Sequence, residues 1–249
     1  MNNVGAIILA AGKGSRMNSK NTNKVTYKLG DKPMIMHVVN LLENMKLFPI
    51  VIVVGFAKES VKSLFDKKIL FADQTKRLGT AHAAKKALEV IPGNISHVFI
   101  LNGDDSAFYT PDILSKLLNE HIKNKNMITF LTLHVKNPHG LGRVIRAGGK
   151  VVAIVEEKDA SAKERKIDEI NPACYLFSVD FLRKFINKVP RSKVTKEYYL
   201  TSLLEIAINK KYKIEGIKGG RIPWRGVNTG DELREAEKLF TKTMQKASA

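Results

Sequence analysis

Cysteine is almost missing from this chain of 249 residues: Cys174 stands alone, so no intrachain disulfide and no thiolate metal cluster can form. No apolar run approaches the roughly 20 residues that a membrane span needs. The start, "MNNVGAIILAAG", lacks the basic head and cleavage pattern of a secretion signal. These absences lead to the expectation of a cytoplasmic protein with no membrane partner. The six histidines (His37, His82, His97, His121, His134 and His139) contain no H-x-x-x-H pair, which leaves a zinc site without support. Acidic residues are scarce as well, 24 against 42 lysines and arginines, for a formal charge of +18. Such a charge suits a nucleic-acid binder, yet lysines such as Lys58, Lys62, Lys116, Lys123 and Lys163 are scattered, with no compact basic run interleaved with aromatics. A solvated surface that draws small anions inward is therefore expected, and nucleic acid is not. Nothing in the chain speaks to oligomeric state.

What is present is an alternation of strand-length apolar runs with amphipathic runs of helix length, the mark of βαβ units and a mostly parallel sheet. Strands are expected over 4–10, 49–55, 97–104, 127–135 and 173–178, with a Gly-Gly hairpin over 142–157 as a small antiparallel insertion. Helices are expected over 33–45, opened by Pro33, and over 58–65, 79–91, 112–124, 180–188, 196–209 and 230–246. The opening order reads β, α, β, α, α, β. One domain over 1–229 with a C-terminal helical segment over 230–249 accounts for the pattern. A parallel sheet holds its ligand beyond the carboxyl ends of its strands, and the loops that bear chemistry directly follow strands.

The first such loop is "AAGKGSRM", where Gly12 and Gly14 free the backbone to turn amides toward phosphate oxygens, and Lys13 and Arg16 offset their charge. It is neither a Walker loop nor a dinucleotide fingerprint, because Met17 stands where the third glycine would be. By itself it also reads as a plain turn. The stretch "LAAGKGSRM" with Lys24 resembles the opening signature of the sugar nucleotidyltransferases, and the match continues in family order. "QTKRLGTAHA" (74–83), "LNGDD" (101–105), "GLGRVIR" (140–146), "IVEEKDASAKERKIDEIN" (154–171), "KEYYLTSLL" (196–204) and "GVNTGDEL" (226–233) follow. The resemblance spans nearly the whole chain and is closest to the uridylyltransferase members.

That resemblance implies a Rossmann-like α/β nucleotidyltransferase fold and attack by a sugar 1-phosphate oxygen on the α-phosphorus of UTP, with release of pyrophosphate. It implies Asp104 and Asn228 as ligands of Mg²⁺, with Arg16 and Lys24 as the catalytic cations that grip the triphosphate. Leu9, Ala11, Gly12, Gly14, Gln74, Gly79 and Thr80 fall on nucleotide-binding positions. Gly140, Glu156 and Asn171 fall on those that contact an N-acetylglucosamine moiety, and Arg143 and Lys158 are expected to support the architecture or the surroundings of the phosphate. The residue types suit these roles: Asp is a hard oxygen ligand, and a Gln amide offers a donor and an acceptor to the edge of uracil. The competing readings are a turn cap for Asp104, a capped helix start for Thr80 and a buried small hydrophobe for Cys174.

The chain departs from the family where "EINPAC" replaces a usual E-I-N-T-G, so that Pro172 deletes a backbone donor and Ala173 replaces a glycine. Asn102 also stands where an aromatic residue commonly precedes the Gly-Asp pair. These changes leave the acceptor open: glucose 1-phosphate with UTP or dTTP, and a choline or polyol phosphate with CTP, are alternatives. A non-catalytic nucleotide-sugar or nucleic-acid binder on the same fold is the alternative of another class. Some relatives continue into an acetyltransferase β-helix of hexapeptide repeats; none is present in this sequence, so that activity is not expected.

Overall fold

The computed structural model describes residues 3–17, 21–66, 68–220 and 222–247. Four parallel strands, β1 (Val4–Ala10), β4 (Ile50–Val54), β5 (Leu70–Asp73) and β6 (His97–Asn102), lie in the order β5-β4-β1-β6. Their near-continuous apolar sequences follow from burial on both faces. Ile8 and Ile52, for instance, pair in register and pack on one face, whereas Ile7 and Val51 pack on the other. The sheet continues through β11 (Tyr175–Ser178), which runs antiparallel to β6, to β7 (Ile128–His134) and β12 (Ile214–Lys218). Among these seven strands β11 alone is reversed, so the central sheet is mostly parallel, as the sequence predicts. The far end of β7 carries a small antiparallel sheet of β10 (Glu169–Asn171), β8 (Gly142–Ala147) and β9 (Lys150–Val155). Gly148 and Gly149, both at positive φ, close its hairpin. A two-residue pair, β2 (Lys28–Leu29) with β3 (Lys32–Pro33), stands apart.

Helices cover both faces. α1 (Met34–Asn44), α2 (Lys58–Lys62) and α4 (Pro111–Asn124) pack into one apolar core, and α3 (Thr80–Leu88), α5 (Val179–Phe185) and α6 (Ser202–Asn209) into the other. α7 (Gly230–Ala247) sets Leu233, Ala236, Leu239 and Phe240 against Leu29, Met34, Phe108 and Val227. Among the described residues no helix is long and apolar enough to cross a membrane.

Two departures from the sequence reading shape the site. A strand, β5, stands between α2 and α3 where the sequence showed only helix following helix; it is four residues long, at the edge of the sheet, and too short for alternation to register. α6 begins at Ser202 rather than 196, because the backbone before it is bonded elsewhere: Tyr198 N–H donates to Leu78 O, Ala81 N–H to Tyr198 O, and Leu200 N–H to the Thr80 hydroxyl. β10 and β12 also escaped the sequence, being short or interrupted by charge and glycine.

Candidate active site

The carboxyl ends of β1, β5 and β6 open into one cleft with two lobes, of about 500 and about 200 Å³. Leu9, Thr80, Asn102, Asp104 and Asn228 line both lobes and so mark their junction. Every sequence-predicted site residue lines this cleft except Arg16, which stands exposed on the 3-10 turn Ser15–Met17.

The larger lobe is floored by the glycine-rich loop after β1. A residue without periodicity or motif shapes that loop: Asn23, fully buried, donates from Nδ2 to the carbonyls of Ala10 and Phe56 at 2.8 Å, while its Oδ1 accepts from Val25 N–H. With those carbonyls turned inward to Asn23, the strand end is fixed against the next loop. Gly14 adopts φ +58°, and a Cβ there would lie 3.1–3.2 Å from the Lys24 stem, so glycine makes room for Lys24 to enter the cleft.

Lys24 is the hub of the junction. Its ammonium forms an ion pair with Asp104 and donates to Asn228 Oδ1 at 2.9 Å and to Val227 O at 3.0 Å. Both side chains of the ion pair are mostly shielded from solvent, 13% and 14% exposed, which strengthens the attraction. The structure thus brings together three residues spread over 204 positions of the chain. Asp104 and Asn228 already converge on a single cation, and both offer hard oxygens. They fit a Mg²⁺ that takes one or two protein ligands and completes its shell with phosphates and water.

Gln74, only 4% exposed, follows β5 and lines the larger lobe. The sequence credits its amide with a donor and an acceptor for a base. The structure commits the donors within the protein, because Nε2 lies 3.0 Å from Gly79 O and 2.9 Å from His82 Nδ1. What remains for the cleft is the acceptor Oε1. Gly79 serves a packing role the motif did not disclose: at φ +104° it lies under Tyr198, whose carbonyl oxygen would be 2.5 Å from a Cβ.

The smaller lobe lies between the small antiparallel sheet and β11. Glu156 enters it with Oε1 accepting from the Thr201 hydroxyl at 2.9 Å; burial pushes its carboxyl up, and that hydrogen bond offsets part of the effect. Asn171 is held internally, Nδ2 donating to the Tyr175 hydroxyl and Oδ1 accepting from Ala173 N–H at 3.1 Å. Ala173 adopts φ +56°, a conformation that favours glycine, and the Pro172 carbonyl accepts from Tyr109 Oη at 2.9 Å. Gly140 N–H donates to Glu157 at 3.1 Å, which ties the segment before β8 to the turn after β9. Arg143, 1% exposed, pairs with that same Glu157 at 2.6 Å and donates to Leu141 O, the supporting role expected of it. Cys174 is fully buried, and burial raises its thiol well above the ordinary range. Sequence reasoning missed Asn23, Thr201, Tyr175 and Trp224; Thr201 lies within the motif 196–204, where a helix was expected, whereas Tyr175 and Trp224 enter this lobe from a strand and a loop outside the quoted motifs.

A cleft at the carboxyl ends of parallel strands, with a cationic glycine loop on one side and a carboxylate-amide-lysine cluster at its junction, defines a phosphate-handling α/β protein. The profile of the nucleotidyl transferase family matches residues 5–243, and the chain belongs to that family. It is 38% identical over 237 residues to the bifunctional protein GlmU of Thermoanaerobacter pseudethanolicus, covering 95% of this chain and 51% of that protein. With GlmU of Acetivibrio thermocellus it shares 37% identity over 243 residues, 97% of this chain and 52% of the other. The chain therefore spans about half the length of these relatives. A Bacillus anthracis protein described as a glucose-1-phosphate thymidylyltransferase, crystallised with sucrose, shares the fold at a TM-score of 0.79, with 22% identity and 95% of each chain covered.

Proposed function

We propose that this chain transfers a uridylyl group from UTP to a sugar 1-phosphate, with N-acetylglucosamine 1-phosphate as the acceptor, releasing pyrophosphate. The observation that carries the reading is the two-lobed cleft with Lys24, Asp104 and Asn228 at its junction: one lobe for a nucleotide, one for a sugar, and charged groups where the phosphates would meet. A phosphate oxygen is already an anion at neutral pH, so the site needs no general base; it must align two polyanions and stabilise the leaving pyrophosphate. Asp104 and Asn228 would hold Mg²⁺, which supplies neutralisation of the phosphate oxygens when bound. Lys24 places its cation beside that pair, and the Gly12–Gly14 loop gives the phosphates backbone donors. Arg16, exposed at the loop's end, would close over the triphosphate. Gln74 Oε1 would accept from the imide N–H of uracil. Glu156, Asn171 and Gly140 would bound the sugar, with Thr201 as an added wall residue.

The backbone at Pro172 and Ala173 supports a second acceptor. A proline without N–H and an alanine at positive φ alter the wall of the smaller lobe, and glucose 1-phosphate is the substrate that a less specific wall would admit. The deciding experiment is pyrophosphate release with Mg²⁺ across UTP, dTTP and CTP, crossed with N-acetylglucosamine, glucose, galactose and glucosamine 1-phosphates and choline phosphate. Preference for UTP with N-acetylglucosamine 1-phosphate is expected. Preference for glucose 1-phosphate moves the acceptor to the second reading. Silence across the panel, with salt-sensitive RNA binding, would favour a non-catalytic binder.

A further inference from the structure

Gln74 is fixed in one orientation by a neighbour that no role above has absorbed. Gly79 O is an acceptor without a proton, so the Gln74 atom 3.0 Å from it must be the amide nitrogen. The same nitrogen lies 2.9 Å from His82 Nδ1, one turn into α3. Two donors on one nitrogen then meet two acceptors, which requires His82 to be neutral, with its proton on Nε2. Both amide hydrogens are used inside the protein, and Oε1 is left toward the larger lobe.

We infer that His82 is a positioning residue for base selection: by accepting from Gln74 it holds Oε1 toward the cleft, so that the site takes a pyrimidine bearing a ring N–H in preference to cytosine. The inference rests on the uridylyl reading above and deepens it. A protonated His82 would present N–H to N–H. The two neighbours would then disagree, Gly79 O still calling for Nε2 and the imidazolium N–H for Oε1, so the amide loses its fixed orientation; its turned-over form directs Nε2 into the cleft and favours a ring nitrogen with a lone pair, as in cytosine. The surroundings keep this state away from neutral pH. Burial lowers the imidazole's pKa from its ordinary value, Lys86 and Lys85 lower it further, and Glu89 acts weakly in the other direction. From outside α3, Gln74 Nε2 faces Nδ1, and Leu78, Ile186, Asn187, Val189 and Tyr198 line the same hollow as the imidazole; none of them is a carboxylate.

Calorimetric titration of the whole chain with UTP and with CTP, in Mg²⁺ between pH 5 and 8, tests the inference without reference to the acceptor. Wild-type protein is expected to bind UTP more tightly at neutral pH and to lose that preference by about fivefold to tenfold on acidification, the worth of one hydrogen bond. His82→Phe, which fills the space without an acceptor, is expected to show the reduced preference at every pH. His82→Asn, whose Oδ1 replaces Nδ1 and does not titrate, is expected to restore the preference and flatten its pH dependence. A wild type that prefers uracil with a pH profile shared by both folded variants overturns the inference alone. A wild type that prefers CTP at neutral pH overturns the uridylyl reading and the inference with it.

Discussion

Lys24 has its three oxygen partners, Asp104, Asn228 Oδ1 and Val227 O, within the protein, and the consequence of losing one depends on what remains. Asp104→Asn keeps the shape and a polar contact for the ammonium while removing the charge a divalent cation requires. Turnover is expected to fall by about 100-fold or more, with the thermal midpoint little changed, since a metal ligand is lost and packing is not. Pyrophosphate release and thermal unfolding of the same preparation check both halves; a folded variant with near-normal turnover removes Asp104 from the site. Lys24→Ala should lower kcat more than it raises KM for the acceptor, because a cation that serves the leaving group acts mainly in the transition state. An effect confined to the acceptor's KM would place Lys24 elsewhere. Asn171 and Thr80 show the limit of reading roles from residue types. Both have polar atoms that a ligand could use, yet Asn171 has its amide oxygen and nitrogen engaged within the protein, and Thr80 already accepts from Leu200 N–H.

At the scale of elements, the site is a meeting of loops held by backbone pairing. The segment that the sequence assigns to the start of α6 instead lies against the loop before α3, with Tyr198 bonded to both Leu78 and Ala81. Gly79 permits this approach. Gly79→Ala would set a Cβ against the Tyr198 backbone at a φ of +104°, where side chains are strained, at a cost of about 1–3 kcal/mol. The expected outcome is a lower thermal midpoint together with weaker nucleotide binding, because Gly79 O also anchors Gln74. Loss of stability with unchanged nucleotide affinity would separate the two functions of this glycine.

At the scale of the whole molecule, a histidine pair between β6 and α4, buried His121 with half-buried His97, contributes to the response to acid. His121 is fully buried, with Nδ1 2.9 Å from the Thr129 hydroxyl and Nε2 3.2 Å from His97 Nδ1. Burial, then the charge of His97, push its pKa down to about 4. The unfolded chain binds the proton near the ordinary value of about 6.5, so the unfolded state holds more protons in this interval and stability falls as pH falls. Its contribution is complete above about pH 6.5 and is lost progressively down to about pH 4, amounting to about 3 kcal/mol. Urea unfolding across that range should show the loss in wild type and a shallower slope in His121→Asn; parallel slopes would assign the acid sensitivity to other groups. Glu157, where burial raises the pKa but the Arg143 hydrogen bond and Gly140 N–H lower it further, adds a loss in the same direction below its ordinary carboxylate range. The formal charge of +18 gives the molecule a positive background that attracts small anions and weakens with salt.

The sequence by itself determined the α/β layering, because strands buried on both faces must read as unbroken apolar runs and their covering helices as amphipathic ones. It also marked the candidate ligand loops, since glycines, lysines and an aspartate leave a local signature at 12–16, 74–80 and 104, the first and last of them directly after strands that the sequence shows. Tertiary structure alone decided what those residues are free to do. Neither the 204-position gap between Lys24 and Asn228 nor the grip of Asn23 on the end of β1 and the loop after β4 has any periodicity to betray it. β5 is too short for a pattern, and 196–201 has the composition of a helix but finds its hydrogen bonds elsewhere. Gln74 carries the lesson in one side chain: its sequence offers a donor and an acceptor, and the fold, by spending the donors on Gly79 and His82, leaves one. Local sequence records which groups a residue has; only the assembled chain settles which of them are already satisfied, because hydrogen-bond capacity is finite and partners come from anywhere in the fold.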